Sequence, residues 1–364
     1  DLDRDWVCTG VTESPGQGLA GRVTPTAPAA LGAAAQTASA GEIHLAVDGS
    51  DRNDGLSEKR PVATLGTAVQ LAAAQSAKTG EDMAIIVGPG IYRKQTIVLT
   101  DQTIRGKLTI AGTSTLAADY PAFYGNGSGT WLRYEGRAGR DTGLTIRNLR
   151  IVDYGTAITL NGNRDDPQGF NRGTVISDNV FARIGSAWGK GKSTAALRLV
   201  NSRGNVIENN YFRSIRNYPV SSCPGLHAMY VAHSSSGNRI VHNTFDDFCG
   251  SAVKLRDGSG DNEILRNSFK TADRAAAIEE WFCDLAKTAE CTKKSGECPS
   301  AGNIAKDNTF AGIDERRQIS VRGSRQPRPW YRRQPWPRSS HRCTRPLKFL
   351  KETLARRGEK ILNC

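Results

Sequence analysis

A short unit recurs five times between residues 175 and 310 and limits what the chain can fold into. "VISDNVF" (175–181), "VIENNYF" (206–212), "RIVHNTF" (239–245), "EILRNSF" (263–269) and "NIAKDNTF" (303–310) share an aliphatic residue, two variable residues, Asn, one variable residue and Phe. The Asn positions are Asn179, Asn210, Asn243, Asn267 and Asn308, at spacings of 31, 33, 24 and 41 residues. A short period that tolerates insertions predicts a solenoid, with the insertions projecting as loops. The runs inside each repeat are four to six residues long, alternate with period two, are rich in β-branched residues and are joined by Gly, Asn and Asp turns. Helical repeats need runs of ten or more at helical period, so the coils are built of strands. Coils stacked in parallel sit about 4.8 Å apart. Equivalent Asn side chains then bond from coil to coil, and the Phe rings stack inside. The expectation is an all-β, right-handed parallel β-helix.

The segment before the repeats predicts how that solenoid begins. Ile43, Leu45 and Val47 alternate as a strand, and Asp48 to Gly55 form a turn cluster. Thr64 can cap a helix carrying Leu65, Ala68, Val69, Leu71 and Ala72 on its apolar side. Two short strands follow, hinged at Gly88-Pro89-Gly90. The succession "DGSDRNDG…RPVATLGTAVQLA", "IIVGPGIY" and the Asn-x-Phe coils resembles secreted proteins of the pectin-lyase-like β-helix superfamily. The resemblance covers about residues 42–312 and implies that the helix caps the open N-terminal end of the solenoid. A cap is physically required, because an end coil presents unpaired strand edges. The fold hosts lyases, hydrolases, epimerases and binding proteins, so it leaves the activity open.

Three segments follow from this reading: a flexible Ala/Thr/Pro/Gly leader (1–41), the β-helix (42–314) and a basic tail (315–364). The tail has no coil period. It reads as a disordered basic segment or as an out-of-frame translation of GC-rich DNA, and no catalysis is assigned to it. It carries fifteen Lys/Arg against three Glu, so +12 of the net +13 sits there and about +1 is left for the first 314 residues. A near-neutral body without a nucleic-acid motif excludes a nucleic-acid partner. No apolar run of eighteen residues spans a membrane. The chain starts at Asp1 without a basic and apolar leader, which fits a removed signal peptide or a truncated piece. Eight Cys without CxxC spacing point to disulfides in a secreted protein, expected to be monomeric. Cys223 and Cys249 fall at the same corner of neighbouring coils, within disulfide reach. Cys283, Cys291 and Cys298 would staple the loop before the last coil.

No cofactor or metal is implied. Asp48, Asp51, Asn53 and Asp54 miss the spacing of a Ca²⁺ loop and read as turn formers, so a Ca²⁺ ion is not derivable from them. His44, His227, His233, His242 and His341 lack zinc spacing.

The strands after each Asn-x-Phe unit give a surface map. "ALRLVNS", "AMYVAHS", "AVKLRDG" and "AIEEWFC" align, with Leu197, Met229, Val253 and Ile278 inward. Alternation turns Arg198, Tyr230, Lys254 and Glu279 outward in one column. Arg256 and Trp281 lie two residues on, His233 and Asp257 at the turn, and His227 just before its strand. The resemblance supports polysaccharide chemistry in general terms. β-Elimination on a uronate needs a cation to neutralise the carboxylate and a base for the C5 proton. Lys254 and Arg256 are the candidates to neutralise, and Tyr230 or His227 to abstract. Arg198, His233, Glu279 and Trp281 are candidate substrate-binding residues. The function expected is a lyase on an extracellular uronate polysaccharide; a non-catalytic glycan-binding or surface structural protein is the alternative. A glycoside hydrolase would need two carboxylates, from Asp246, Asp247, Asp257, Glu279 and Glu280. Lys254 and Glu279 in adjacent coils also read as a plain surface ion pair.

Overall fold

The structure is a computed structural model that describes residues 41–103, 105–189, 193–272, 275–282, 297–298 and 300–322. It is a right-handed parallel β-helix. Among the described residues three parallel sheets of nine, eight and eight strands run the length of the solenoid. The first sheet runs from Gly41–Leu45 to Ile304–Lys306, the second from Ile91–Arg93 to Thr309–Ala311 and the third from Ile97–Thr100 to Ile319–Arg322. Each coil contributes one strand to each sheet, and alternation sends every second side chain inside.

The repeat unit supplies the interior. Phe181, Phe212, Phe245, Phe269 and Phe310 stack with ring centroids 4.8–5.1 Å apart. This is the coil spacing expressed as aromatic contact. At the adjoining corner Nδ2 of Asn179 donates to Oδ1 of Asn210, and the chain continues through Asn243 and Asn267 to Asn308 at 3.0–3.1 Å. From Asn210 onward each Asn Oδ1 also accepts the backbone N–H of the Asn one coil earlier, and Asn179 Oδ1 accepts that of Leu149, so buried amides are satisfied along the stack.

A second ladder, not anticipated from sequence, stands at another corner. Asn205 donates to Asn238, Asn238 to Asn262 and Asn262 to Asn303 at 2.7–3.0 Å. The residue before each first-ladder Asn turns the corner in the left-handed region: Asp178, Asn209, His242, Arg266 and Asp307 have φ of 54–57°. Such values strain residues like Arg, and the repeated corner bonds hold them there.

The helix Leu65–Thr79 lies over the terminal strand Gly41–Leu45, with Leu65, Ala68, Val69 and Ala72 buried. Thr64 caps it through Thr67 N–H, and Asp51 accepts from Ala63 N–H, Thr64 N–H and the Thr64 hydroxyl. Asp51, Asn53 and Asp54 thus hold the turn that leads into the cap. Cys223 and Cys249 form a disulfide, with Cα atoms 5.3 Å apart. Next to it Gly250 is required: a Cβ there would lie 1.7 Å from the Leu226 carbonyl oxygen. Cys298 is also in a disulfide; Cys283 and Cys291 lie outside the described residues, as do the leader 1–40 and residues 323–364.

The solenoid runs past residue 314. A short helix, Glu315–Gln318, leads into Ile319–Arg322, which pairs in register with Ile278–Trp281. The high Arg content of the tail hid this strand, although Ile319 and Val321 alternate as a strand requires.

Candidate functional site on the third sheet

Arg198, Tyr230, Lys254 and Glu279 are register partners in consecutive strands of the third sheet. The neighbours Leu197, Met229, Val253 and Ile278 are fully buried, so alternation turns the column outward. Outward does not mean open. Lys254 and Glu279 are only 7 % and 8 % exposed, while Arg198 and Tyr230 are half-buried.

The charges divide the column in two. At its C-terminal end the cations are matched by carboxylates. Lys254 Nζ is 2.9 Å from Glu279 Oε1, and the Ser251 hydroxyl donates to the other oxygen of Glu279. Arg256 donates to both oxygens of Glu297 and lies 4.2 Å over the Trp281 ring. Burial disfavours the Arg256 charge, but Glu297 outweighs it and raises the pKa. At the other end Arg198 donates to neutral Asn161 at 3.0 Å, and Asn161 donates onward to Glu135 at 2.9 Å. Burial holds the Arg198 pKa below its ordinary value.

Tyr230 sits between these ends. Burial raises its pKa and outweighs the opposing influence of Arg256, Arg198 and Arg164, so the phenol stays protonated at neutral pH. The His227 ring stacks 5.8 Å behind it. His227 is sealed, its Nδ1 meets no partner, and burial together with Lys254 pushes its pKa down to about 3. It is a neutral imidazole. On the other side of Tyr230 the His233 ring lies 6.4 Å away, and its Nδ1 meets Asp257 Oδ2 at 2.7 Å.

Arg164 was not legible as a site residue. It lies on an insertion in "NGNRDDPQGF", whose only sequence signal is turn composition. The following coil fixes this loop: Asn201 Nδ2 donates to the carbonyls of Asn163 and Asp166, and Arg203 donates to Pro167 O and packs over Phe170. Glu297 was missed because it arrives from far along the chain, beside Cys298.

The other carboxylates are elsewhere. Asp246 and Asp247 belong to a second-sheet strand, where they accept from Tyr211 and Arg216. Glu280 points into the solenoid in the aliphatic row of Leu255. Its Oε1 accepts Ser300 N–H, its Oε2 meets no partner, and burial raises its pKa to about 7. Among the described residues no group of three His, Cys, Asp or Glu is arranged to hold a metal. No helix among them is long and apolar enough to cross a membrane.

No protein-family model matches the chain, and no curated protein sequence matches it. Similar solved structures include a variant of the catalytic domain of a GH87 alpha-1,3-glucanase with nigerose, at 14 % identity and TM-score 0.42 over 66 % of this chain and 37 % of that one. An alginate lyase from Paenibacillus sp. str. FPU-7 is 11 % identical, with TM-score 0.35 over 68 % of this chain and 96 % of that one. A tailspike of E. coli bacteriophage HK620 is 12 % identical, with TM-score 0.37 over 73 % of this chain and 58 % of that one. The chain thus spans little more than a third of the glucanase domain's length.

Proposed function

We propose that this protein is a secreted carbohydrate-active enzyme that cleaves a uronate-containing polysaccharide by β-elimination on the outer face of the third sheet. The observation that carries the reading is the half-buried Tyr230 within electrostatic reach of Arg198, Arg164 and Arg256. A uronate C5 proton becomes removable when its carboxylate is neutralised. Arg198, whose hydrogen-bond partner is uncharged, suits that task. Lys254 and Arg256 already meet protein carboxylates. Their part is to hold Trp281 and shape the wall beside Tyr230. A protonated Tyr230 phenol is the form that donates to a leaving glycosidic oxygen. Disulfides at Cys223–Cys249 and Cys298 fit an oxidising, extracellular compartment.

The test is incubation with a panel of acidic polysaccharides, following the ultraviolet absorbance of an unsaturated uronate. Turnover is expected on at least one polyuronate. Tyr230→Phe should lower kcat about a hundredfold or more without changing the melting temperature. Folded protein that yields no unsaturated sugar on any polyuronate would overturn the reading. A non-catalytic glycan-binding role is the second reading, and the Lys254–Glu279 and Arg256–Glu297 pairs favour it, because they occupy the cations. Binding without product would select it.

A further inference from the structure

Asn201, His233 and Asp257 occupy the same corner in three consecutive coils, each with a left-handed φ, of 46°, 55° and 49°. The coil period therefore delivers His233 and Asp257 to each other. His233 Nδ1 and Asp257 Oδ2 are 2.7 Å apart, and both side chains are nearly buried. The second oxygen, Asp257 Oδ1, accepts the Cys298 N–H at 3.1 Å, beside a disulfide. The carboxylate is thus clamped from two directions. A carboxylate on Nδ1 fixes the tautomer: Nδ1–H donates, and Nε2 keeps its lone pair. Nε2 makes no hydrogen bond among the described residues, and the side chain is 3 % exposed. The Tyr230 ring centroid lies 6.4 Å from that of His233.

From this geometry we infer that His233 is a catalytic residue, the general base of the site, and that Asp257 is its positioning residue. The inference rests on the elimination reading. The base is oriented by a third group and sits beside an acid, the arrangement that proton transfer at two neighbouring substrate atoms needs. His233 Nε2 takes the C5 proton of the sugar whose carboxylate Arg198 holds. The C5–H electron pair becomes the C4–C5 double bond as the C4–O bond breaks. The leaving oxygen takes the Tyr230 phenol proton. Imidazolium and phenolate then return to their starting forms by proton exchange through water, so nothing else is consumed. His227 is excluded as base because no carboxylate orients its ring, its Nδ1 meeting no partner, and Lys254 by its pairing with Glu279. Among the described residues, Asp257 on the next coil and Tyr230 on the strand that leads into His233 are the titratable groups beside it.

His233→Asn is the suitable variant, because Asn tolerates the left-handed backbone at this corner. With a polyuronate that the wild type turns over, His233→Asn should lower kcat by about 10²–10⁴-fold, with little change in KM and an unchanged melting temperature. Asp257→Asn should lower kcat about tenfold or more with little change in KM, since the imidazole loses the carboxylate that fixes its tautomer. Nitrogen NMR of the free wild-type protein should place the His233 proton on Nδ1. Folded His233→Asn within tenfold of wild-type kcat, wild-type kcat in folded Asp257→Asn, or a proton on Nε2 would each overturn the inference while leaving the lyase reading intact. A wild type that makes no unsaturated sugar would overturn both.

Discussion

His227 and Glu280 are two buried ionisable residues whose pKa values move in opposite senses for the same cause, desolvation of the charged form. His227 falls to about 3 in the folded protein, below the unfolded value near 6.5. The unfolded chain then binds the extra proton, so its stability contribution is complete above pH 6.5 and is lost as pH falls toward 3. Glu280 rises to about 7 from 4.5. Here the folded protein binds the extra proton, so the contribution is complete below pH 4.5 and is lost as pH rises toward 7. Each window is worth several kcal/mol, on the order of 1.4 per pH unit. Where they overlap the slopes cancel, and these two groups leave stability flat between about pH 4.5 and 6.5. Urea melts across pH should show this plateau. Glu280→Gln should replace it with stability that climbs from pH 3 to 6.5, and His227→Gln with stability that declines from pH 4.5 to 7. Parallel curves for all three proteins would mean that neither side chain is buried as described.

The element that turns repeat into fold is the corner ladder. Asn243 receives the Asn210 N–H and Nδ2 on its Oδ1, and donates to the carbonyls of Ile207 and Val241 and to Asn267 Oδ1. Asn243→Ala would strand these groups in the interior at a cost of about 3–5 kcal/mol. Arg239→Ala, four residues away and paired with Glu263 only at the exposed surface, should cost less than about 1 kcal/mol. Equal losses in denaturant melts would show that the ladder is decoration. This ladder was legible because Asn and Phe recur together in one unit. The second ladder carries the same information five residues earlier, at Asn205, Asn238, Asn262 and Asn303, but no aromatic partner marks it. The outward column was legible for the same reason: period two fixes direction once the core row is known. What closes on that column was not legible. Arg164 comes from an insertion, Glu297 from beyond a long connection, and the burial of Lys254 follows from neighbours that no local pattern announces. The inward turn of Glu280 was equally hidden, because "IEEW" offers two adjacent acids and only register assigns one to the core.

At the scale of the whole molecule, a solenoid is stabilised coil against coil, so its ends matter more than their length suggests. The N-terminal end is covered by the helix Leu65–Thr79. At the other end the last strand of the third sheet among the described residues is Ile319–Arg322, laid along Ile278–Trp281, with Ala277 N–H donating to Arg317 O at 2.8 Å. Composition placed the boundary at 314, whereas register carries the third sheet at least through this strand. Two shortened chains separate the alternatives. A chain ending at Arg322 keeps every described coil and should melt with the full-length protein, since the sequence beyond it shows no coil period. A chain ending at Asp314 loses the strand that flanks Glu279, Glu280 and Trp281. It exposes their backbone edge and part of the core around Ile278, a loss of about 2–4 kcal/mol by the usual cost of burying such side chains. For a domain of this size that lowers the melting temperature by roughly 3–7 °C. The loss should be felt first at the site, because Glu279 and Trp281 stand on the newly exposed edge and hold Lys254 and Arg256. Calorimetry of the two chains, with polyuronate turnover measured below both transitions, decides it. Coincident melting of the 314 and 322 chains would mean that the last strand does not belong to the cooperative solenoid.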